Sequence, residues 1–277
     1  MNLQKYHGLG NDYLIYDINQ NNSELTKEQI IKICNRNFGV GSDGILSGPY
    51  IKDNKISVKI FNPDGSEAEK SGNGARIFAK YLKDSNYIKE NSFILSTLGG
   101  DIKINYLNSD GTKIKVSMGH LSFDSKDIGV IGNKREVVNE KMQFGNNIYT
   151  CTCVSIGNPH CVIPVNEVSK DLVCEIGKYS ENASYFQNRI NTQIVKIIDR
   201  NNIQIEIFER GAGYTLASGS SSCAAAGAVY KLGLVDSNIT VHMPGGNLEI
   251  EIDKNYNVEM TGPVQDICSI KLKEEFC

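Results

Sequence analysis

Two serines stand where the chain has most to offer chemically. Ser71 opens Ser-Gly-Asn-Gly-Ala-Arg and Ser218 opens Ser-Gly-Ser-Ser-Ser-Cys, and each leads a stretch with helical character. A helix start presents unpaired backbone N–H groups and the positive end of a dipole, so each can hold an anion such as an amino-acid carboxylate. The residues offering those amides are Gly72, Asn73 and Gly74 in one case and Gly219, Ser220 and Ser221 in the other. Small residues there also permit close helix packing, and both readings stand. Neither serine lies in a Gly-x-Ser-x-Gly elbow, because Glu69 and Leu216 occupy the positions two before them, which argues against a serine hydrolase. His160, one of four histidines, follows Gly157-Asn158-Pro159 in a tight turn at the start of a strand; taken alone it reads as structural. Gly39-Val-Gly41-Ser-Asp-Gly44 has the letters of a dinucleotide fingerprint, yet Ile-Leu-Ser-Gly-Pro follows and cannot open the required helix.

The elements that must position these residues repeat. Gly10-Asn11 recurs as Gly157-Asn158, Phe61 as Phe208 and Ser71-Gly72 as Ser218-Gly219, all at an offset of 147 residues (157 minus 10, 208 minus 61, 218 minus 71). Gly99-Gly100 and Met118-Gly119 find weaker echoes in Gly245-Gly246 and Thr261-Gly262. Three matches in one order point to duplication and to two similar domains sharing a cleft. Ile56–Phe61, Ile102–Tyr106, Lys113–Ser117, Ile203–Phe208 and Leu248–Ile252 alternate apolar and polar residues, the period of half-buried strands. Thr26 caps a helical pattern ending at Cys34, and the stretches after Ser71 and Ser218 read as helices. The expected fold is α+β: two pseudo-symmetric domains, each a curled, mostly antiparallel sheet around a central helix, with the site in the inter-domain cleft. One domain spans residues 1–121, with 263–277 returning to it, and the other 122–262. The polar, turn-rich stretch from Ser122 to Glu136 is the expected linker.

Composition narrows the partners. Hydrophobic residues make up 40% and charged residues 22%, as in ordinary folded proteins. A net charge of -3 gives no footprint for nucleic acid or an anionic membrane. No apolar run is long enough for a membrane helix, and Met1 to Tyr13 lacks the blocks of a signal peptide, so a cytoplasmic location is expected. The eight cysteines, Cys34, Cys151, Cys153, Cys161, Cys174, Cys223, Cys268 and Cys277, are scattered and read as free thiols. Cys151 and Cys153 share one strand face with no second ligand pair to complete a metal site.

His7-Gly-Leu-Gly-Asn11-Asp12, Phe61-Asn62-Pro-Asp64-Gly-Ser-Glu67, Gly72-Asn-Gly-Ala-Arg76, Gly157-Asn-Pro-His160 and Phe208-Glu-Arg-Gly-Ala-Gly213 run through nearly the whole chain. In that order they resemble the signatures of diaminopimelate epimerase and the related pyridoxal-phosphate-independent amino-acid racemases. The resemblance implies a cofactor-free isomerase of amino-acid biosynthesis, on the route to lysine. It inverts an α-carbon, LL- to meso-diaminopimelate, with two bases on opposite faces. It also implies that His160 assists one base and Glu209 the other. Asn62, Asn158, Asn191, Glu209 and Arg210 would surround the distal amino-acid group, with Asn11 lining the cleft. The implied partner is a small amino acid, with room for a homodimer.

One departure is chemical. The family's two bases are cysteines, and here Ser71 and Ser218 occupy both positions. A thiol near pKa 8.5 becomes a thiolate at a helix N-terminus, whereas a hydroxyl stays protonated. The chain as written is therefore expected to be a poor epimerase, either a form whose serines trap substrate or a natural divergent member. In the second case it would be a racemase of another amino acid such as histidine, whose ring Tyr214 could stack on, or a non-catalytic amino-acid-binding paralogue. Tyr214, Ser221, Ser222 and Gly44 all depart from the family pattern and leave room for another substrate.

Overall fold

The computed structural model describes residues 1–21, 23–53 and 55–276. Cys277, one of the thiols above, lies outside the described residues. The chain divides into two compact units, Met1–Ser117 with Thr261–Cys277, and Met118–Met260.

The first unit contains β1 (Asn2–Gly8), β2 (Asn11–Tyr16), α1 (Lys27–Cys34), β3 (Ile45–Lys52), β4 (Lys55–Phe61), β5 (Glu67–Ala68), α2 (Gly72–Asp84), β6 (Ser92–Thr97), β7 (Gly100–Tyr106) and the start of β8 (Lys113–His120). The second contains α3 (Ser125–Ile128), β9 (Glu140–Phe144), β10 (Asn147–Ser155), β11 (Pro159–Pro164), α4 (Lys170–Ser180), β12 (Asn191–Asp199), β13 (Asn202–Glu209), β14 (Gly213–Thr215), α5 (Gly219–Lys231), β15 (Asn238–Met243), β16 (Gly246–Ile252) and most of β17 (Asn257–Pro263). The last strand, β18 (Gln265–Lys271), pairs antiparallel with β1 and so closes the first unit.

Both units use one wiring. An antiparallel hairpin, β1–β2 or β10–β11, leads through a helix, α1 or α4, to a parallel neighbour, β3 or β12. An antiparallel partner follows, β4 or β13, then a short return strand, β5 or β14, whose register sets Phe61 opposite Glu67 and Phe208 opposite Tyr214. A long helix, α2 or α5, crosses to a strand parallel to β4 or β13, namely β6 or β15. A parallel neighbour requires such a crossover, which is why each unit spends two helices inside a largely antiparallel sheet. The α+β reading therefore holds.

The second crossover helix of each unit, α2 or α5, lies in its core. Every residue of α2 from Gly72 to Leu82 is buried, as are Gly219 and Ser221 to Val229 of α5. A helix buried all round must carry small or apolar residues where sheets approach it, hence Ala224-Ala-Ala-Gly-Ala228 in α5. At Gly227 an added Cβ would lie 2.4 Å from a methyl of Leu121.

The stretch from Ser122 to Glu136 is not a linker. It belongs to the second unit, where Ser122 bridges Ser155, Asp124 bridges Glu136 and caps α3, and Phe123, Ile128 and Val130 are buried. Its polar residues cap and turn the backbone, and the apolar ones between them anchor it to the core. Cys151, Cys153 and Cys161 lie in the same core among Met142, Phe144, Ile163 and Val173. Contacts with Cys151 and Cys153, and then burial, push the Cys161 thiol up.

Candidate active site

In the first unit Ser71 is the extended residue before α2, with φ -142°, and its Oγ accepts the Gly74 N–H at 3.0 Å. The Tyr13 hydroxyl lies 3.4 Å from the same oxygen. No acidic residue occupies the first turn of α2, so its positive end is left for an external anion. The side chain of Asn73, whose backbone amide the sequence offers to an anion, is buried: its Nδ2 donates to Asn11 Oδ1 at 3.1 Å and its Oδ1 accepts from Arg76 at 2.7 Å. Asn11 in turn donates to Asp43 at 2.8 Å. The side chains of Asn11 and Asn73 thus stiffen the helix start. Beneath them Asp12 accepts from Arg36 at 2.7 Å and pairs with Lys5 at 2.8 Å. Burial alone would raise the Asp12 pKa, but its hydrogen bonds to those two cations hold it below the ordinary carboxylate range. Asn62 is half-buried in the turn after β4, donating to Ser66 at 3.0 Å.

In the second unit Ser218 repeats this local structure, with φ -146° and its Oγ accepting the Ser221 N–H at 3.5 Å. The first turn of α5 also lacks an acid. A loop of side-chain hydrogen bonds starts and ends on that turn. Ser220 accepts from Asn158 at 3.4 Å, Asn158 Oδ1 meets His160 Nε2 at 3.0 Å, His160 Nδ1 meets Gln193 at 3.3 Å, and Gln193 donates to Ser221 at 3.1 Å. His160 is fully enclosed, and burial above all, with the nearby Arg210 charge adding to it, takes its pKa down to about 3 despite the opposing Gln193 contact. The ring is therefore neutral at physiological pH, with one N–H and one lone pair. One flanking amide must then turn its oxygen to the ring and the other its NH2, so the loop of bonds runs in one sense or the other with the tautomer.

The remaining positions named from sequence cluster at the strand ends beside this loop. Asn191, at the start of β12, donates to the Pro159 carbonyl at 2.9 Å and accepts the Arg210 N–H at 3.0 Å, tying two loops together. Arg210 is half-buried and its guanidinium donates to the Asn188 carbonyl at 2.9 Å. Glu209 ends β13 and is half-buried. Tyr214 is engaged within its own unit: its hydroxyl donates to Glu206 at 2.9 Å and Lys170 sits 4.8 Å over its ring. Burial, then the Glu206 carboxylate, push its pKa up to about 12. Ser221 and Ser222 point inward, the latter donating to the Ser218 carbonyl at 2.8 Å.

Each unit thus presents a serine-capped, acid-free helix start held by amide side chains, Asn11 and the buried Asn73 in one and Asn158 and the buried Gln193 in the other, and the two serines occupy equivalent places in one repeated wiring. The sequence profile described as diaminopimelate epimerase matches residues 3–123 and 152–267. The chain belongs to the diaminopimelate epimerase family.

Diaminopimelate epimerase 2 of Nostoc sp. (strain PCC 7120 / SAG 25.82 / UTEX 2576) is 48% identical over 276 residues, covering 99% of this chain and 96% of that protein. Diaminopimelate epimerase of Alkaliphilus metalliredigens (strain QYMF) is 35% identical, covering 96% and 95%. Among solved structures, a probable proline racemase from Agrobacterium radiobacter K84 superposes with a TM-score of 0.69 at 13% identity, covering 99% of this chain and 93% of the other. A hydroxyproline epimerase from Agrobacterium vitis superposes with 0.69 at 11%, covering 98% and 90%. At such identities these two establish a shared fold. Among the described residues no helix is long and apolar enough to cross a membrane.

Two polar residues at these positions escaped the sequence reading. Gln193 lies two residues into β12 and is fully buried against His160; the run Asn191-Thr-Gln193 at the mouth of an otherwise apolar strand was its signal. Tyr13 sits beside Ser71, and the repeat offset of 147 pointed to it, since 160 minus 147 is 13.

Proposed function

We propose that this chain binds diaminopimelate at the helix starts led by Ser71 and Ser218, on a scaffold for cofactor-independent 1,1-proton transfer at its α-carbon. In the parent chemistry one position removes the α-hydrogen and the other returns a proton to the opposite face. The electron pair left on carbon is stabilised where the α-carboxylate meets the helix amides, because fixed N–H dipoles favour the developing charge. The carrying observation is the equivalence of the two caps: each serine oxygen accepts the third amide of a buried, acid-free helix.

With hydroxyls in place of thiols the chain holds substrate and turns it over far more slowly than a thiol pair. The Arg210 fork, the Asn62 amide and the Asn158 amide supply donors and acceptors for the distal ammonium and carboxylate. Diaminopimelate is favoured over histidine because the Tyr214 ring already carries Lys170 and its hydroxyl is committed to Glu206. His160, neutral and fixed, orients Asn158 through their 3.0 Å contact.

The test combines Ser71→Cys with Ser218→Cys and follows deuterium uptake at the α-carbon in heavy water. Exchange should rise by about a hundredfold or more, the scale of positioned acid–base catalysis. Calorimetry on the serine chain should show diaminopimelate binding more tightly than histidine. Failure of the double variant to exchange diaminopimelate, or a preference for histidine, overturns the reading.

A further inference from the structure

Ser71 has a second partner besides the amide it caps. The Tyr13 hydroxyl is 3.4 Å from Ser71 Oγ; Tyr13 is 7% exposed and Ser71 half-buried, so the contact is partly shielded from competing water yet within its reach. A serine oxygen has two lone pairs and one hydrogen. Gly74 N–H takes one lone pair at 3.0 Å; a donated Tyr13 O–H takes the other, which leaves the Ser71 hydrogen free to point at a ligand. The fold makes space for this arrangement at Gly44, where an added Cβ would lie 2.7 Å from Tyr13 Cε1 and 2.4 Å from the Phe61 carbonyl oxygen. Position 44 has no side chain because the tyrosine ring occupies its place. The internal repeat supplies an independent pointer. Tyr13 is the counterpart of His160, and Gly44 of Asn191, at the same offset of 147 (160 minus 13, 191 minus 44). In register terms, Tyr13 faces Tyr6 on β1 as His160 faces Val154 on β10. Both residues therefore occupy one place in the repeated hairpin, the second strand just before its crossover helix.

We infer that Tyr13 is a positioning and proton-relay residue for Ser71, the phenol doing for a hydroxyl what a hydroxyl cannot do for itself. A phenol is a far stronger acid than an aliphatic alcohol, with an ordinary pKa of about 10. In the delivering direction the Ser71 O–H bond breaks as its proton joins the electron pair on the α-carbon. The serine oxygen takes the phenolic proton, and the phenolate left on Tyr13 is reprotonated by water. In the removing direction the phenolate accepts the Ser71 proton while the serine oxygen accepts the α-hydrogen and its bonding pair stays on carbon. The inference rests on the proposal that Ser71 meets the α-carbon, and its test separates the two.

In the chain as it stands, α-hydrogen exchange of diaminopimelate in heavy water is compared with that of Tyr13→Phe, alongside calorimetric affinity for the same ligand. Exchange should fall by about a hundredfold while affinity stays within about twofold. Replacing Tyr13 with 3-fluorotyrosine, of the same shape and a more acidic phenol, should restore exchange at a rate different from the parent's, which a merely structural role would not do. Unchanged exchange in Tyr13→Phe with binding retained, or no exchange by the parent with ligand bound, overturns the relay. A ligand-free measurement stands apart from the substrate assignment: in Ser71→Cys, ultraviolet titration of the introduced thiol should move upward by about one pH unit when Tyr13→Phe removes the donor to the thiolate. If diaminopimelate does not bind, the substrate proposal fails, and this titration alone decides the pair: a shift supports the Tyr13 contact and no shift overturns it.

Discussion

At the scale of the residue, His160 is the most strongly perturbed group beside the helix starts, and its perturbation is a statement about stability. Its ordinary pKa of 6.5 is taken down to about 3 in the folded chain, so the unfolded chain binds the proton first as pH falls. Stability from keeping the ring neutral is present in full above about pH 6.5 and drains away through the window below it. The slope approaches about 1.4 kcal/mol per pH unit for one proton. Urea unfolding between pH 7 and pH 4 should show this loss, and His160→Gln should flatten it; an unaltered slope in the variant would assign the acid sensitivity elsewhere. Asp12 adds a second loss in more acid solution. Its pKa is held low by Arg36 and Lys5, and the stability they confer is lost only as pH falls below the ordinary carboxylate range.

At the scale of the element, glycines decide how closely helices approach strands. Gly177 in α4 faces Phe208 of β13, and a Cβ there would lie 2.2 Å from the ring carbon Cγ. An alanine in a helix interior ordinarily gains about 1 kcal/mol over glycine. Here the ring, held in the sheet beside the Glu209 loop, has to move, and overpacking of this kind costs roughly 1–3 kcal/mol. Gly177→Ala should therefore lower the denaturation midpoint rather than raise it. A gain in stability would show that α4 and β13 are not in close contact at this point.

At the scale of the whole molecule, the last strand returns to the first unit, and β18 pairs with β1 from Asn2 opposite Lys271 to His7 opposite Gln265. Because β1 is flanked on its other side by β2, removing β18 turns an inner strand into an edge with unpaired N–H and C=O groups. A chain ending at Pro263 should lose hydrogen-exchange protection at the outward β1 amides first and unfold at lower denaturant. Retained protection there would mean that β18 contributes little to the first unit.

Much of this was legible in one dimension because it depends on local period and on repetition. Alternation marked Ile56–Phe61 and Ile203–Phe208 inside β4 and β13, and a capping Thr26 marked α1, whose capping box the structure contains. The offset of 147 showed that one wiring was used twice, and the signature segments pointed to the family whose profile matches the chain. Folding decided the rest, since it concerns which polar side chains are spent on the protein itself. The family resemblance gives Asn191 to the substrate, and the folded chain uses its side chain to tie Pro159 to Arg210, as it uses that of Asn73 to brace α2. The stretch from Ser122 to Glu136 looks like a linker because its capping residues are polar, and only the buried Phe123, Ile128 and Val130 reveal it as part of a core. Composition and spacing report what each residue can bond to. Which bond is made depends on which strands a crossover brings side by side, and that is how Tyr13 reaches Ser71 across 58 residues and Gln193 reaches His160 across 33.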